Sequence, residues 1–116
     1  LALHELRVRL LAADEQAERA LAMLEAFPGG LGAAMRAQGV DLGAAELDLL
    51  HGRLLLDCGR EQAGVALVEA AVEVAREHGH DGLQQAGAAV VARWLDEQGR
   101  PDEAEVAWER LAGEQA

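Results

Sequence analysis

The strongest constraint on the fold is a helix-opening phrase that occurs three times. The phrase occurs at 15–21, 61–67 and 102–108. Each copy has two acidic or amide residues, an Ala, two variable residues, a second Ala and a large apolar residue. The first Ala of each copy is Ala17, Ala63 or Ala104, so the copies are about 46 and about 41 residues apart, a range in which one repeat is a pair of antiparallel helices. The sequence therefore predicts an all-α stack of about three antiparallel helical hairpins.

Composition favours the same fold class. The 116 residues include no Ser, Thr, Tyr, Lys, Asn or Ile. Ala, Leu, Glu, Gln and Arg, which are good helix formers, are abundant, and Val is the only β-branched residue. The missing types also remove hydroxyl nucleophiles and Schiff-base lysines, so we predict that the chain is not an enzyme. We interpret the bias itself as that of a GC-rich bacterial genome.

Charge and cysteine usage narrow the range of partners and compartments. The formal net charge is −11, which repels nucleic acid and anionic membrane surfaces, so we expect neither as a partner. The single Cys58 cannot form an internal disulfide, and the sequence shows no signal peptide and no apolar run of about 18 residues. These features favour a cytoplasmic location. The chain begins with Leu1 rather than Met, which suggests a segment of a longer protein.

Glycine and proline mark the predicted helix ends, because glycine adopts the left-handed conformation after a helix and proline cannot continue one. Such stops occur at 27–30, 57–59, 78–79 and 98–99. They predict helices at about 2–13, 14–27, 42–57, 60–78, 82–98 and 101–113, with a short helical turn at 31–38. The chain is then a single domain, 1–116, with hairpins at approximately 1–27, 42–78 and 82–113.

The sequence also predicts where helices begin. Asp81 and Gln84 have the spacing of a capping box, and Asp41 is a further candidate N-cap. Pro101 fits the first helical position, where its missing N–H costs nothing.

The blocks at 42–57 and 60–78 are apolar on two sides, which predicts central helices. In the later block one row is Ala63, Ala66, Leu67, Ala70 and Val74, and the other is Val65, Val68, Val72 and Ala75.

The third unit carries small and large residues in the order Ala88-x-x-Val91-Ala92-x-x-Leu95-x-x-x-Gly99-x-x-x-x-Ala104-x-x-x-Trp108-x-x-Leu111. This order resembles the tetratricopeptide repeat, a helix-turn-helix unit with small residues where its helices touch. The second unit has Leu47, Leu50, Leu54, Gly59 and Ala63. It is one residue shorter between its Gly and its Ala, and His51 stands where a small residue is usual.

The long period is similar to the variant repeats in helical sensor domains of bacterial ATPase-type transcription activators. The resemblance implies a right-handed superhelical stack whose first helices line a concave groove. Carrying over the groove positions predicts partner contacts at Asp48, Gly52, Ala89, Arg93 and Asp96. Trp94 is either a contact to the next hairpin or an exposed anchor for a partner. Arg93 could clamp a carboxylate or could simply pair with Asp96 or Glu97.

Catalytic and metal sites have weak support. His78 and His80 are metal-ligand types, but a third ligand at fixed spacing is missing, so we predict no metal and no cofactor. Cys58 follows a helix C-terminus, where the helix dipole disfavours a thiolate. His51 lies on an apolar helix and is best explained as a core or groove residue.

Our leading hypothesis is a scaffold or adaptor that binds a protein or peptide. The alternative is an effector-sensing domain of a larger bacterial transcription regulator. An enzyme using His51, Cys58 or the two neighbouring histidines is a third class. Because the first unit is weakly marked and repeat stacks need capped ends, self-association is a further expectation.

Overall fold

A computed structural model of the protein describes residues 17–26 and 31–113. Within these residues the chain is all-helical and contains no strand. The helices are α1 (Ala17–Leu24), α2 (Leu31–Ala37), α3 (Asp41–Asp57), α4 (Glu61–Glu77), α5 (Asp81–Glu97) and α6 (Pro101–Ala112). They pack as an antiparallel stack. The predicted fold class is therefore confirmed.

The observed helices agree with the predicted blocks to within a few residues from 31 onward, and the short turn predicted at 31–38 is α2. The block predicted at 14–27 contains α1, which ends at Leu24; residues 14–16 and 27 lie outside the described residues. The helix predicted at 2–13 and the stop at 27–30 lie outside the described residues.

Four helix ends share one geometry. Gly39, Gly59, Gly79 and Gly99 all have φ between 67° and 83° and follow one another at 20-residue intervals. The residue after each glycine donates its backbone N–H to the carbonyl five residues earlier, as from Arg60 to Leu55 at 2.8 Å. This is the Schellman arrangement, which satisfies carbonyls at the helix end. Since the next helix begins one residue later, each link reverses the chain within three residues.

The predicted capping box at Asp81 and Gln84 is wrong. The N-cap of α5 is His80, whose Nδ1 accepts the backbone N–H of Leu83 at 3.0 Å. Asp41 is likewise the first helical residue rather than a cap. Pro101 does occupy the first helical position of α6, as predicted.

α3 lies at the centre of the described stack and contributes to two apolar clusters. One joins α1, α2 and α3 through Ala20, Leu21, Leu24, Met35, Ala44, Leu47, Leu54 and Leu55. The other joins α3 to α6 through Ala45, Leu49, Val68, Ala71, Val72, Ala75, Leu83, Ala88, Val91, Leu95, Ala104, Ala107 and Leu111. The prediction that α3 is covered on two sides is confirmed.

The corresponding prediction for α4 holds fully on one side and in part on the other. Val68, Val72 and Ala75 are buried. In the other row Leu67 and Val74 are partly buried and pack against the apolar clusters, whereas Ala63, Ala66 and Ala70 are exposed. A row of alanines has the right spacing for a buried face but little surface to bury, so the pattern could not distinguish a covered row from an open one.

α3 and α4 approach closely at two glycines. A Cβ added to Gly64 would lie 2.9 Å from the carbonyl oxygen of Gly52, and one added to Gly52 would lie 2.6 Å from Cγ2 of Val68. The small residue at this crossing is therefore Gly64, not the exposed Ala63. Gly64 follows Gly59 by the same interval as Ala104 follows Gly99. The one-residue irregularity inferred for the second unit therefore disappears.

We expect Gly64→Ala to lower the free energy of unfolding by about 1–3 kcal/mol, because its methyl group meets a backbone oxygen that cannot move aside cheaply. Gly82→Ala is the matched control. Its Cβ would meet nothing closer than 3.6 Å, so this change should be neutral or stabilising by up to about 1 kcal/mol. Urea denaturation followed by circular dichroism measures both, and equal midpoints for the two variants would contradict the close-approach interpretation.

Candidate functional site

Two of the predicted groove residues lie inside the structure. Asp48 is 4% exposed and Gly52 is buried against α4. Neither residue is accessible to a partner in this structure.

The other predicted residues belong to α5 and are closer to the surface. Arg93 and Asp96 are exposed, and Ala89 is partly exposed. Trp94 is half-buried at the edge of the α3–α6 cluster, and the guanidinium carbon of Arg100 lies 5.9 Å from its ring centroid. Trp94 therefore packs within the stack and beneath an arginine.

α3 and α5 expose similar residues at equivalent positions, which are 40 residues apart in the sequence. Corresponding positions are exposed in both helices: Glu46 with Ala86, Arg53 with Arg93, and Asp57 with Glu97. Leu50 and Val90, one turn before the two arginines, are both partly exposed. We call these eight residues the α3–α5 face. α3 and α5 are in direct contact, and besides Glu46 with Ala86 the corresponding positions are one apolar pair, one pair of arginines and one acidic pair.

Sequence reasoning missed Arg53. The signal that identifies it is the 40-residue spacing that also relates Gly59 to Gly99 and Arg60 to Arg100. With this offset the counterpart of Arg93 is Arg53, not Gly52.

An ion pair between the buried Asp48 and the exposed Arg36 lies on a different side of α3. The carboxylate of Asp48 accepts a hydrogen bond from Arg36 at 2.5 Å. A Cβ added to Gly32 would lie 2.1 Å from Oδ1 of Asp48, so only glycine leaves space for this carboxylate beside α2. Burial raises the pKa of Asp48, and the Arg36 guanidinium partly offsets that effect. The pair fixes α2 against α3.

His51 lies next to this ion pair, one turn further along α3. Its residue is 8% exposed, and its Nε2 has no hydrogen-bond partner among the described residues. The closest carboxylate oxygen, on Glu25, is 3.6 Å away, which is too long for a hydrogen bond. Burial lowers the pKa of His51, and the nearby Glu25 and Asp48 carboxylates partly oppose that effect. Burial therefore disfavours the charged imidazolium at this position.

The remaining nucleophile and metal-ligand candidates do not converge. Cys58 follows His51 by seven residues on one helix, which separates their backbones by about 10 Å. Burial and nearby acidic residues raise the pKa of the Cys58 thiol. Nδ1 of His78 donates to the carbonyl of Val74 at 2.9 Å, and His80 caps α5. Within residues 17–26 and 31–113, no group of three His, Cys, Asp or Glu side chains could hold a metal ion.

An open cleft of about 400 Å³ lies at the end of α6, lined by Arg76, Asp81, Gln84, Gln85, Ala112 and Gly113. The buried side chain of Gln84 donates to the carbonyl oxygen of Leu111 at 3.1 Å, and Arg76 donates to the same oxygen at 3.4 Å. Two donors thus satisfy a carbonyl at the helix end. We interpret this cleft as the attachment of α6 to α4 and α5.

Comparison of the chain with protein-family models, with curated proteins and with solved structures found no match. The resemblance to tetratricopeptide repeats therefore stays a prediction from the residues quoted above. None of the described helices has the length and apolar character needed to cross a membrane.

The pKa shift of His51 predicts a pH-dependent stability. The unfolded chain titrates near the ordinary value of 6.5, whereas the folded chain has a lower pKa at this residue. Between the two values the unfolded state binds more protons, so stability falls as the pH decreases through that window, by at most about 1.4 kcal/mol per pH unit. We expect a smaller loss between pH 7.5 and 5.5 in His51→Leu than in the unaltered chain, measured by urea denaturation. The exposed His78→Gln is the control and should retain the full loss.

The ion pair of Arg36 predicts that Arg36 contributes more to the free energy of unfolding than the exposed Arg53. Arg36→Gln leaves a buried carboxylate without its partner, and because Arg36 is itself partly exposed we expect a loss of about 1–2 kcal/mol at pH 7. Arg53→Gln removes an exposed arginine and should change stability by less than about 0.5 kcal/mol. Asp48→Asn added to Arg36→Gln should restore part of the loss. Equal effects of the two single changes on the urea midpoint would show that the pair is not stabilising.

Proposed function

We propose that the chain is a helical scaffold module that binds a protein or peptide partner on the α3–α5 face and performs no catalysis. One observation carries the proposal: at equivalent positions of two successive hairpins Leu50 and Val90 are partly exposed and Arg53 and Arg93 are exposed. A surface that combines partly exposed apolar side chains with guanidinium groups has the composition of a protein interface.

The geometry supports binding by a preformed surface. α3 and α5 each have 17 residues and are held by short links and a common core. A surface carried on such helices is already ordered, so a partner has less conformational entropy to overcome on association. An extended segment or an amphipathic helix could lie across both helices, with its apolar side chains against Leu50 and Val90.

Catalysis and small-molecule sensing have less support. The raised pKa of Cys58 and its separation from His51 argue against a thiolate nucleophile. The cleft at the end of α6 is lined mainly by polar side chains that already serve the fold, whereas effector pockets are mostly apolar. A binding module is therefore preferred over an effector-sensing domain.

Selection of a displayed library of random 16-residue peptides on the immobilised 116-residue chain tests the proposal. We expect enriched peptides whose affinity falls by at least about 10-fold for Leu50→Glu/Val90→Glu, because the apolar pair is then charged. Val106→Glu is the control: Val106 is 62% exposed on α6, away from the face, and its change should leave affinity unaltered. Failure to enrich any peptide, or equal losses in the two variants, would contradict the proposed binding surface.

A further inference from the structure

The surface on which the α3–α4 hairpin receives the next hairpin is defined by its contacts with α5 and α6. Gly87 of α5 lies against apolar side chains of both α3 and α4. A Cβ added to this glycine would lie 2.4 Å from Val72, 3.2 Å from Leu49 and 3.5 Å from Val68. Arg110 of α6 forms an ion pair with Glu69 of α4. The next hairpin therefore docks with a glycine against three apolar side chains and brings an arginine to an acidic position.

The α5–α6 hairpin carries the same positions 40 residues later. Both hairpins have a three-residue link closed by corresponding backbone hydrogen bonds. The residues that correspond to Leu49, Val68, Glu69 and Val72 are Ala89, Trp108, Glu109 and Ala112. We call these last four residues the α5–α6 end. Its apolar members are partly exposed and Glu109 is exposed, and within residues 17–26 and 31–113 no further hairpin docks on it.

Two acidic residues of α6 border the apolar part of this end. Glu105 precedes Trp108 by three residues, which is about one helical turn, and Glu109 follows it directly. Both are exposed, and neither carboxylate forms an ion pair or a hydrogen bond with a described residue. The counterpart of Glu105 in α4 is Val65, which packs against the α3–α6 cluster. An element docked on the α5–α6 end thus meets two open carboxylates.

The arginines around this end do not neutralise these carboxylates. Arg76 and Arg110 already form ion pairs with acidic residues of α4. Arg93 corresponds to Arg53, which is exposed although α5 is docked on its hairpin, so this position lies outside the docking surface. On a chain with a net charge of −11, the open carboxylates of α6 favour a cationic partner.

We propose that the α5–α6 end is a second interaction surface and binds a basic amphipathic helix of another protein. The helix docks against α5 and α6 as α5 docks against α3 and α4. It places Gly or Ala against Trp108, because a tryptophan in place of Val68 leaves even less room for a large side chain. This proposal does not depend on binding at the α3–α5 face, with which the α5–α6 end shares no residue.

The basic side chains of this helix lie beside Glu105 and Glu109. The pairing of Arg110 with Glu69 is the precedent, since Glu109 is the counterpart of Glu69. The other acceptor of an arginine on α4 is Glu61, whose counterpart is Pro101. The arginines of the partner are therefore concentrated near the middle of α6 rather than at its start.

A second copy of the chain is a poorer occupant. Two α5–α6 ends paired face to face would oppose Glu105 and Glu109 with the same residues of the other copy. Like charges opposed across an interface are unfavourable, and the arginines described above do not offset them. A basic helix satisfies the same carboxylates.

The probe is a pair of displayed libraries of 17-residue helices built on α5, whose seventh residue is Gly87. Both libraries keep the buried residues of α5 and randomise its exposed positions among Arg, Gln and Glu. One library retains glycine at the seventh position and the other has leucine there. Both are selected on the immobilised chain. We expect enrichment from the glycine library alone, with more Arg than Glu at the randomised positions.

The most enriched peptide then identifies the surface. Its affinity should fall by at least about 10-fold for Trp108→Ala and for Ala89→Gln. Ala89→Gln adds a side chain at the surface without removing a core contact, so it retains its value if Trp108→Ala is less stable. Val106→Ala is the control, since Val106 is 62% exposed on the same helix and outside the end. Urea midpoints establish which variants are folded.

A pair of charge reversals tests the acidic position. Glu109→Arg and Asp41→Arg change the net charge equally, and Asp41 is an exposed residue at the start of α3. At 50 mM salt we expect about a 5-fold loss of affinity for Glu109→Arg and less than about a 2-fold loss for Asp41→Arg. Equal losses would overturn the pairing at Glu109 and with it the choice of a basic partner.

Three other results would overturn the proposal. The first is a glycine library that enriches nothing or enriches no better than the leucine library. The second is a loss of affinity in Leu50→Glu/Val90→Glu rather than in the end variants, which would assign the peptides to the α3–α5 face. The third is a chain that sediments as a dimer by itself and as a monomer after Trp108→Ala, which would make a second copy the occupant. The random 16-residue library tests the α3–α5 face separately, so failure of either proposal is distinguishable from failure of the other.

Discussion

Val68 occupies the junction on which the arrangement of α3, α4 and α5 depends. It is fully buried, with Cγ2 2.6 Å from the Cβ position of Gly52 on α3 and Cγ1 3.5 Å from that of Gly87 on α5. Because neither glycine has a side chain, one valine of α4 packs directly against the backbones of both neighbours. A larger residue at Gly52 would meet Val68, and one at Gly87 would meet Cγ2 of Val72 at 2.4 Å, so either change would push the helices apart. The spacing of the two helices that carry the exposed face is set at this junction.

The boundaries of the longer helices could be predicted from short local sequence features. The glycines at the helix ends and Pro101 fixed the boundaries of the longer helices, since left-handed φ and a missing N–H act on single residues. Features that depend on tertiary contacts were not predictable in the same way. His80 rather than Asp81 caps α5, and Gln84 is free to reach Leu111 because α6 returns to that point. The exposure of the alanines of α4 also depends on tertiary contacts. Whether another helix covers them cannot be read from their periodicity.

The sequence predicted Arg93 as a surface position but missed Arg53. The reason is that the alignment of the second unit with the third was shifted by one residue. The acidic phrase aligns Ala63 with Ala104, whereas the close approach of the helices aligns Gly64 with Ala104. One residue corresponds to a rotation of 100° about a helix. That rotation moved the expected contact positions on α3 from the exposed Arg53 to the buried Gly52. On α5, where no such shift applied, Arg93 was correctly expected at the surface.

The polar groups of α3 are divided between its two sides, and this division separates stability from recognition. Asp48 and His51 face α1 and α2, where an ion pair and a buried imidazole sit beside the first apolar cluster. Arg53 faces solvent on the exposed side. Burial of His51 disfavours its charged form, so acidification opposes folding at this side of α3.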